Sequence, residues 1–486
     1  MNIKITALSI AVLLTLFVVS CKKNNDPEPN LPPAAFTVIP KLAASGTDVV
    51  LTWTKTKDPN GDPVTYAVVY KDTLAKNLTD TTYTIKNAGY GASVVGSVVA
   101  SDNQKASTVS SFSITTGANP YVAIPDVNFE KALITLKIDD VQDGNLLPSS
   151  AQKVTSLNVA GASIKNLQGI EAFVNLKTLI CYSNNISTLD VSKNTALTSL
   201  DCSLNNLTNL DVSKNTALTS LNCNYNSINA LDVGTNISLN ALACYHNNIS
   251  SLDISKQPAL LNLNCSVNKL AVLDVTKNTA LTRLDASYNQ LTALDINKNT
   301  DLTYLDCSNN SIATLDLSKS TLLKTLYCGN NKLISLDTKN IALSYLYCQS
   351  NSLTSLDVSK STYLLDLYCY GNSLTTLDIS KNTALQALYC YNNKLTTLDV
   401  SKNVGLGKLY CYNNSLSTLD VNKNTALYWF NCSTNSLTAL DISTNLALEY
   451  LDCSSNNKIQ TICVASLAKV STNWTKDVTA TYKVCK

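Results

Sequence analysis

One stretch, Leu197 to Ala217 (LTSLDCSLNNLTNLDVSKNTA), is repeated in near-copies at a step of 21 residues from about Val154 to Ile462. The step can be followed on one position. Cysteine stands at 181, 202, 223, 244 and 265, gives way once to Ala286, and resumes at 307 and 328. After a single-residue deletion it continues at 348, 369, 390, 411, 432 and 453. A period of this length excludes a globule with one central core and requires a solenoid of stacked coils.

The physics of one coil explains why stacking is obligatory. Each unit offers about six apolar side chains, worth roughly 1.5–3 kcal/mol apiece on burial, against about 1–2 kcal/mol of backbone entropy for each of its residues. A single coil therefore cannot fold, and stability has to come from its neighbours. At 486 residues and 45% hydrophobic content the chain has the material for such an array and for further domains.

Aligned, the units read L-x-x-L-x-C-x-x-N-x-L-x-x-L-D-V-S-K-N-T-A, with 14 asparagines in phase from Asn184 to Asn456. This pattern resembles the leucine-rich repeat, with cysteine in place of its third leucine. The resemblance covers about 310 residues and implies a mainly β, right-handed solenoid of about 14 short parallel strands, each formed by an L-x-C segment. At about 4.8 Å per strand the body would be on the order of 65 Å long. It also implies that the in-phase asparagines satisfy the backbone of the turns. Twenty-one residues leave no room for a full outer helix, so the LDVS segments are expected to be extended or turn-like.

The cysteine column is read as buried free thiols acting as small hydrophobes. Neighbouring side chains of a parallel ladder project side by side, so their β-carbons stay farther apart than a disulfide accepts. No C-x-x-C pair occurs within the repeats, and Ala286 replaces one member without other change. Cys463 and Cys485 stand outside the period, in a tail (463–486) that would close the carboxy-terminal end. Two readings stay open for them, a disulfide with each other or two more buried thiols.

The remaining segments are attachments. Residues 1–20 carry Lys4 and an apolar run from Ala7 to Val19, too short and wrongly flanked for a stable membrane span, and read as a signal peptide. Val18-Val19-Ser20-Cys21 resembles the lipobox of bacterial lipoproteins, which implies lipidation of Cys21 and an anchor in the cell envelope, expected at the outer membrane, with outward and periplasmic orientations both open. Residues 21–33, polar and proline-rich, then serve as a tether. Residues 34–118 change to short alternating runs around Trp53 and Tyr66 to Tyr70, expected to form a small antiparallel β-sandwich. That order resembles fibronectin type III and related immunoglobulin-like modules. Its D-P-N-G-D-P segment from Asp58 is read as a strand connection in preference to a calcium site. Residues 119–153 are the expected amino-terminal cap of the repeats (154–462), with Asp126 capping a helix that carries Phe129, Ala132, Leu133 and Leu136 on one face. Ile124 to Leu133 resembles the amino-terminal cap of envelope leucine-rich-repeat proteins.

Charge and composition narrow the function. With 37 basic and 35 acidic residues the net charge is +2, and no basic stripe marks a nucleic-acid partner. The chain has one histidine, His246, whose counterparts in other repeats are Leu204, Tyr225, Val267 and Asn309, a poor setting for a nucleophile system or metal site. The column Asp190, Asp211, Asp232, Asp253 and onward, followed three residues later by lysines such as Lys193 and Lys214, is read as opposed charges that keep the outer side soluble. A uniform column is not a catalytic pair. No enzyme, cofactor or metal site is expected.

Strand residues that alternate with buried leucine and cysteine point out of the exposed sheet. In the early repeats they are small or mixed: Asp201 and Ser203, Asn222 and Asn224, Ala243 and Tyr245. From the middle onward the row before cysteine becomes Tyr327, Tyr347, Tyr368, Tyr389 and Tyr410, and the row after it has Tyr370, Tyr391 and Tyr412, flanked by Tyr304, Tyr345, Trp429 and Tyr450. About half of the 23 tyrosines thus fall on one face. Tyrosine gives rigid amphipathic contact area at low entropic cost, so the strip is the expected ligand-binding face. A protein surface is the first expected ligand, and a glycan stacking its rings on the aromatic planes the second. An alternative origin is duplication of repeats that carried tyrosine along, with the rings merely stabilising neighbouring strands. The resemblance to envelope leucine-rich-repeat lipoproteins implies an adhesin or interaction scaffold, with a signalling adaptor as a further family-level role.

Overall fold

The computed structural model describes residues 27–485. The chain divides into two compact units, one ending at Pro120 and one beginning at Tyr121. The expected signal peptide and the lipidation residue Cys21 lie outside the described residues.

In the first unit, alternation of apolar and polar residues produces seven strands: β1 (Val38–Leu42), β2 (Val49–Trp53), β3 (Thr65–Tyr70), β4 (Asp72–Leu78), β5 (Thr82–Ile85), β6 (Ser93–Ser101) and β7 (Ser107–Thr115). They form two antiparallel sheets, ordered β1-β2-β5 and β4-β3-β6-β7. Inward residues of both sheets, including Leu51, Trp53, Tyr66, Val68, Val98 and Phe112, make one core. Tyr66 keeps its hydroxyl satisfied by accepting from the Thr56 N–H at 2.8 Å. The Asp58 carboxylate accepts from the Asn60 N–H at 2.8 Å within its own turn.

The second unit is a parallel β-solenoid. Its main sheet has 16 strands in sequence order. Fourteen lead into the cysteine column, and the two beyond the expected number come from the ends, Ser156–Asn158 ahead of the first cysteine-bearing coil and Trp474–Thr475 after the last. Each repeat strand is three residues long, with the central leucine or phenylalanine buried and its neighbours turned outward. In the coil from Leu197, the buried set is Leu197, Leu200, Cys202, Leu207, Leu210 and Val212, six apolar side chains that join one continuous core along the array. The deletion between Cys328 and Cys348 leaves the strands in register, Thr325 beside Tyr345 and Leu326 beside Leu346. The missing residue is therefore absorbed on the return run between Ile341 and Leu343, two residues apart where other coils have three.

At the amino-terminal end, helix α1 (Val127–Thr135) begins at Asp126, whose side chain accepts from the Asn128 and Phe129 N–H groups. Phe129 and Leu133 are buried as expected, but Leu136 is 44% exposed and its place on the inner face is taken by Glu130. That buried carboxylate accepts from the Asp143 N–H at 2.8 Å and the Gly144 N–H, pinning the loop after the helix. At the other end, Leu440–Asp441, Thr461–Val464 and Thr481–Val484 build a second, three-stranded parallel sheet. Its middle strand runs across residues 462 and 463, where the repeats were expected to give way to the tail. Cys463 and Cys485 are joined by a disulfide with α-carbons 5.3 Å apart.

Candidate functional site

The strand face is held by hydrogen-bond ladders on both flanks. On the carboxy-terminal side of each strand the in-phase asparagine is half or fully buried and uses both ends of its amide. Asn226 donates to the Cys202 and Cys223 carbonyls at 3.1 Å and accepts from the Leu207 N–H at 2.9 Å. Asn393 does the same with Cys369, Cys390 and Leu374 at 3.0, 3.1 and 3.0 Å. The residue before this asparagine is forced into the left-handed region, as at Leu204 (φ 53°), Tyr225 (50°), His246 (55°) and Val267 (51°).

A second amide ladder lies on the return run. Asn194, Asn215, Asn236, Gln257, Asn278, Asn299, Asn382, Asn403, Asn424 and Asn445 are at most 4% exposed. Each donates to carbonyls of the preceding coil, as Asn403 does to Ile379 and Asn382 at 3.1 and 2.8 Å. Sequence reading placed these residues in the solvated charge motif. Their own 21-residue step was the available signal, masked by the lysine beside most of them. The neighbouring aspartates are also held differently from the expected pairing with lysine. Asp211 accepts from the Ser213 N–H at 2.8 Å, and this backbone bond, more than Lys214, holds its carboxyl below the usual range.

The thirteen cysteines of the column are buried free thiols. Burial pushes the thiols of Cys244 and Cys390 up to about 12, which removes them from nucleophilic chemistry. Among the described residues, no three His, Cys, Asp or Glu side chains are grouped to hold a metal ion.

The structure brings the tyrosines together as two continuous stacks. Ring centroids are 4.4 Å apart for Tyr327–Tyr347 and Tyr347–Tyr368, 4.1 Å for Tyr368–Tyr389 and 4.6 Å for Tyr389–Tyr410. The second row stacks at 4.3 Å for both Tyr370–Tyr391 and Tyr391–Tyr412. Trp429 stacks on Tyr450 at 4.7 Å. Neighbouring rings in these stacks lie within 27° of parallel. Parallel strands about 4.8 Å apart impose this spacing on identical side chains. The ring planes are therefore turned toward one another and half-buried, and the face presents ring edges and hydroxyls. This differs from the open aromatic planes expected from sequence, where register is visible but the rotamer is not. Burial raises the phenols, Tyr389 and Tyr410 to about 12, so they stay protonated donors at any physiological pH. Tyr347 donates to the Asp366 carboxylate at 3.1 Å.

Where the tyrosine stack begins, the chemistry changes. The Arg283 guanidinium lies 3.5 Å over the Tyr304 ring. Asp285 and Asp306 occupy adjacent register positions and are held by Ser287 and Ser308. Burial raises the Asp306 carboxyl to about 6, with repulsion from Asp285 adding to it. Two concavities lie elsewhere, on the return runs. One of about 550 Å³ is bounded by Asn166, Glu171, Asp190 and Asp211, and one of about 460 Å³ by the Thr-Leu-Asp triplets at 376–378, 397–399 and 418–420. They are open, and their aspartates are already engaged by turn backbone, whereas the strand face is a broad surface of the kind a macromolecule covers.

No family model matches the chain, and no curated protein matches it. Among solved structures it is similar to the functional domain of InlJ from Listeria monocytogenes, described as including a cysteine ladder. The two are 34% identical, with a TM-score of 0.61 over 70% of this chain and 80% of that one. The chain belongs to the internalin-like leucine-rich-repeat proteins. A second internalin, InlF from Listeria monocytogenes, shares the fold at 23% identity and a TM-score of 0.56, over 70% of this chain and 95% of that one. Within this leucine-rich-repeat array the thiol column lies directly beneath the strand face, between the leucine of each strand and the asparagine ladder.

Proposed function

We propose that this protein is a non-catalytic binding protein of the bacterial cell envelope, and that the tyrosine face of its leucine-rich repeats contacts a protein partner. The observation that carries the reading is the pair of tyrosine stacks on one sheet face, with Tyr327, Tyr347, Tyr368, Tyr389 and Tyr410 in one row and Tyr370, Tyr391 and Tyr412 in the other. Extended, gently curved surfaces are what repeat proteins use for recognition, and tyrosine is enriched in interface centres. Edge-on presentation favours a protein over a glycan, because a sugar ring stacks on an aromatic plane and these planes already face each other. Trp429 and Tyr450, at the end of the face, complete the same patch. The Val18-Val19-Ser20-Cys21 segment supports anchoring through a lipid on Cys21, and the seven-stranded sandwich supports a fibronectin-like or immunoglobulin-like module that spaces the repeats from the membrane.

The test is binding of the full chain to bacterial and host cell surfaces, before and after protease treatment of those surfaces and in the presence of oligosaccharides. The reading predicts binding that protease abolishes and sugars leave intact. Binding that survives protease and is displaced by an oligosaccharide would replace it with the glycan reading.

A further inference from the structure

The return-run amide ladder is interrupted once, at three successive coils. Ser320, Ile341 and Ser361 stand where other coils have asparagine or glutamine. The Ser320 hydroxyl is buried without a partner. Ile341 has no polar side chain to offer, and the Ser361 hydroxyl donates to the Ile341 carbonyl at 3.1 Å and accepts from the Leu343 N–H at 3.0 Å. The side-chain bonds that tie Asn299 to the coil before it, at 3.0 and 2.8 Å, thus have no counterpart at the next two junctions. The coil containing Ile341 is also the one with the deletion.

On the strand side of the same coils the aromatic stack begins. Before it, the row preceding cysteine is Asp201, Asn222, Ala243, Asn264 and Asp285, with no aromatic member. The first ring contacts, Tyr304–Tyr327 at 5.7 Å and Tyr327–Tyr347 at 4.4 Å, span the two junctions that lack amide bonds. The stack then runs on past Asn382, where the ladder resumes. We propose that the coils from Ser320 to Ser361 form a compliant joint in the solenoid, held shut by the tyrosine stack across its strand face. Ring faces serve the joint while ring edges remain free for a partner, so a ligand that immobilises the edges also stiffens the joint.

Hydrogen exchange on the full chain tests this without any ligand. Tyr327→Ser with Tyr347→Ser should speed exchange of the backbone amides between 317 and 343 about tenfold, the scale of a few lost ring contacts. Tyr389→Ser with Tyr410→Ser, where the amide ladder is intact, should change its own coils less than about twofold. Adding Ser320→Asn to the first variant should restore slow exchange, because its amide can reach the Ile296 and Asn299 carbonyls as Asn299 reaches those of Val275 and Asn278. Equal effects of the two tyrosine pairs, or no rescue by asparagine, would overturn the proposal. Should the first variant fail to fold, Ser320→Asn alone decides it: slower exchange between 317 and 343 is expected, and unchanged exchange rejects the joint.

Discussion

The left-handed residue before each ladder asparagine shows how a repeat fold tolerates variety. Its backbone N–H is fixed by the next coil, as His246 is by the Ser266 carbonyl at 3.0 Å, so the side chain is left to vary. Asn309, Asn330, Asn392 and Asn413 accept this conformation readily, whereas Val267 holds it with a branched β-carbon. Val267→Asn should therefore stabilise the protein by about 1 kcal/mol, measured as a rise in the urea midpoint. Sequence showed that the column is permissive, but its φ sign is set by inter-coil bonding and leaves no fixed residue type behind. Asp306 gives a second prediction. Its folded value of about 6 exceeds the usual 3.8, so the folded state holds a proton that the unfolded state has lost between those values. This contribution is full below pH about 4 and is lost as pH rises through about 6. Asp306→Asn should flatten that part of the stability profile and leave the variant more stable than wild type at pH 7.5. A variant whose profile matches wild type between pH 4 and 6 would show that Asp306 is not the group responsible.

At the scale of the element, the strand is legible from L-x-C and the caps from their loss of period, because burial at every second residue is a direct consequence of the pleat. Less of the return run was legible. Its amide column repeats as regularly as the first one, yet burial of Asn403 between Lys402 and Val404 depends on how the coil closes, which local pattern does not encode. Asn403→Ala removes two donors to buried carbonyls and should cost about 2–3 kcal/mol, seen as a lower denaturant midpoint. Asp399→Asn nearby should be close to neutral, since an amide oxygen can still accept from the Ser401 N–H. The carboxy-terminal disulfide closes a loop with a sequence separation of 22. Reducing it should release about 3 kcal/mol of local stability, appearing as faster exchange in Thr461–Val464 and Thr481–Val484 while the central strands keep their protection.

For the molecule as a whole, the repeat period alone dictated the architecture, since no coil can bury its apolar face without two neighbours. The row before cysteine then divides the array, with mainly amides and carboxylates from Asp201 to Asp306 and tyrosines from Tyr327 to Tyr410. Register placed the tyrosines on one face in sequence, and the structure adds that their planes are occupied by one another, which favours the protein ligand expected first over the glycan expected second. The claim that this face is the binding surface is tested most directly by comparing one bound target across three full-length proteins. These are wild type, a strand-face variant (Tyr368→Ser, Tyr389→Ser, Tyr410→Ser) and a return-run variant (Asp378→Asn, Asp399→Asn, Asp420→Asn), each shown by circular dichroism to be folded. The account predicts a loss of affinity of about a hundredfold or more for the first variant and little change for the second, as truncation of several central interface tyrosines should give. Unchanged affinity of the folded tyrosine variant, or loss confined to the aspartate variant, would contradict it.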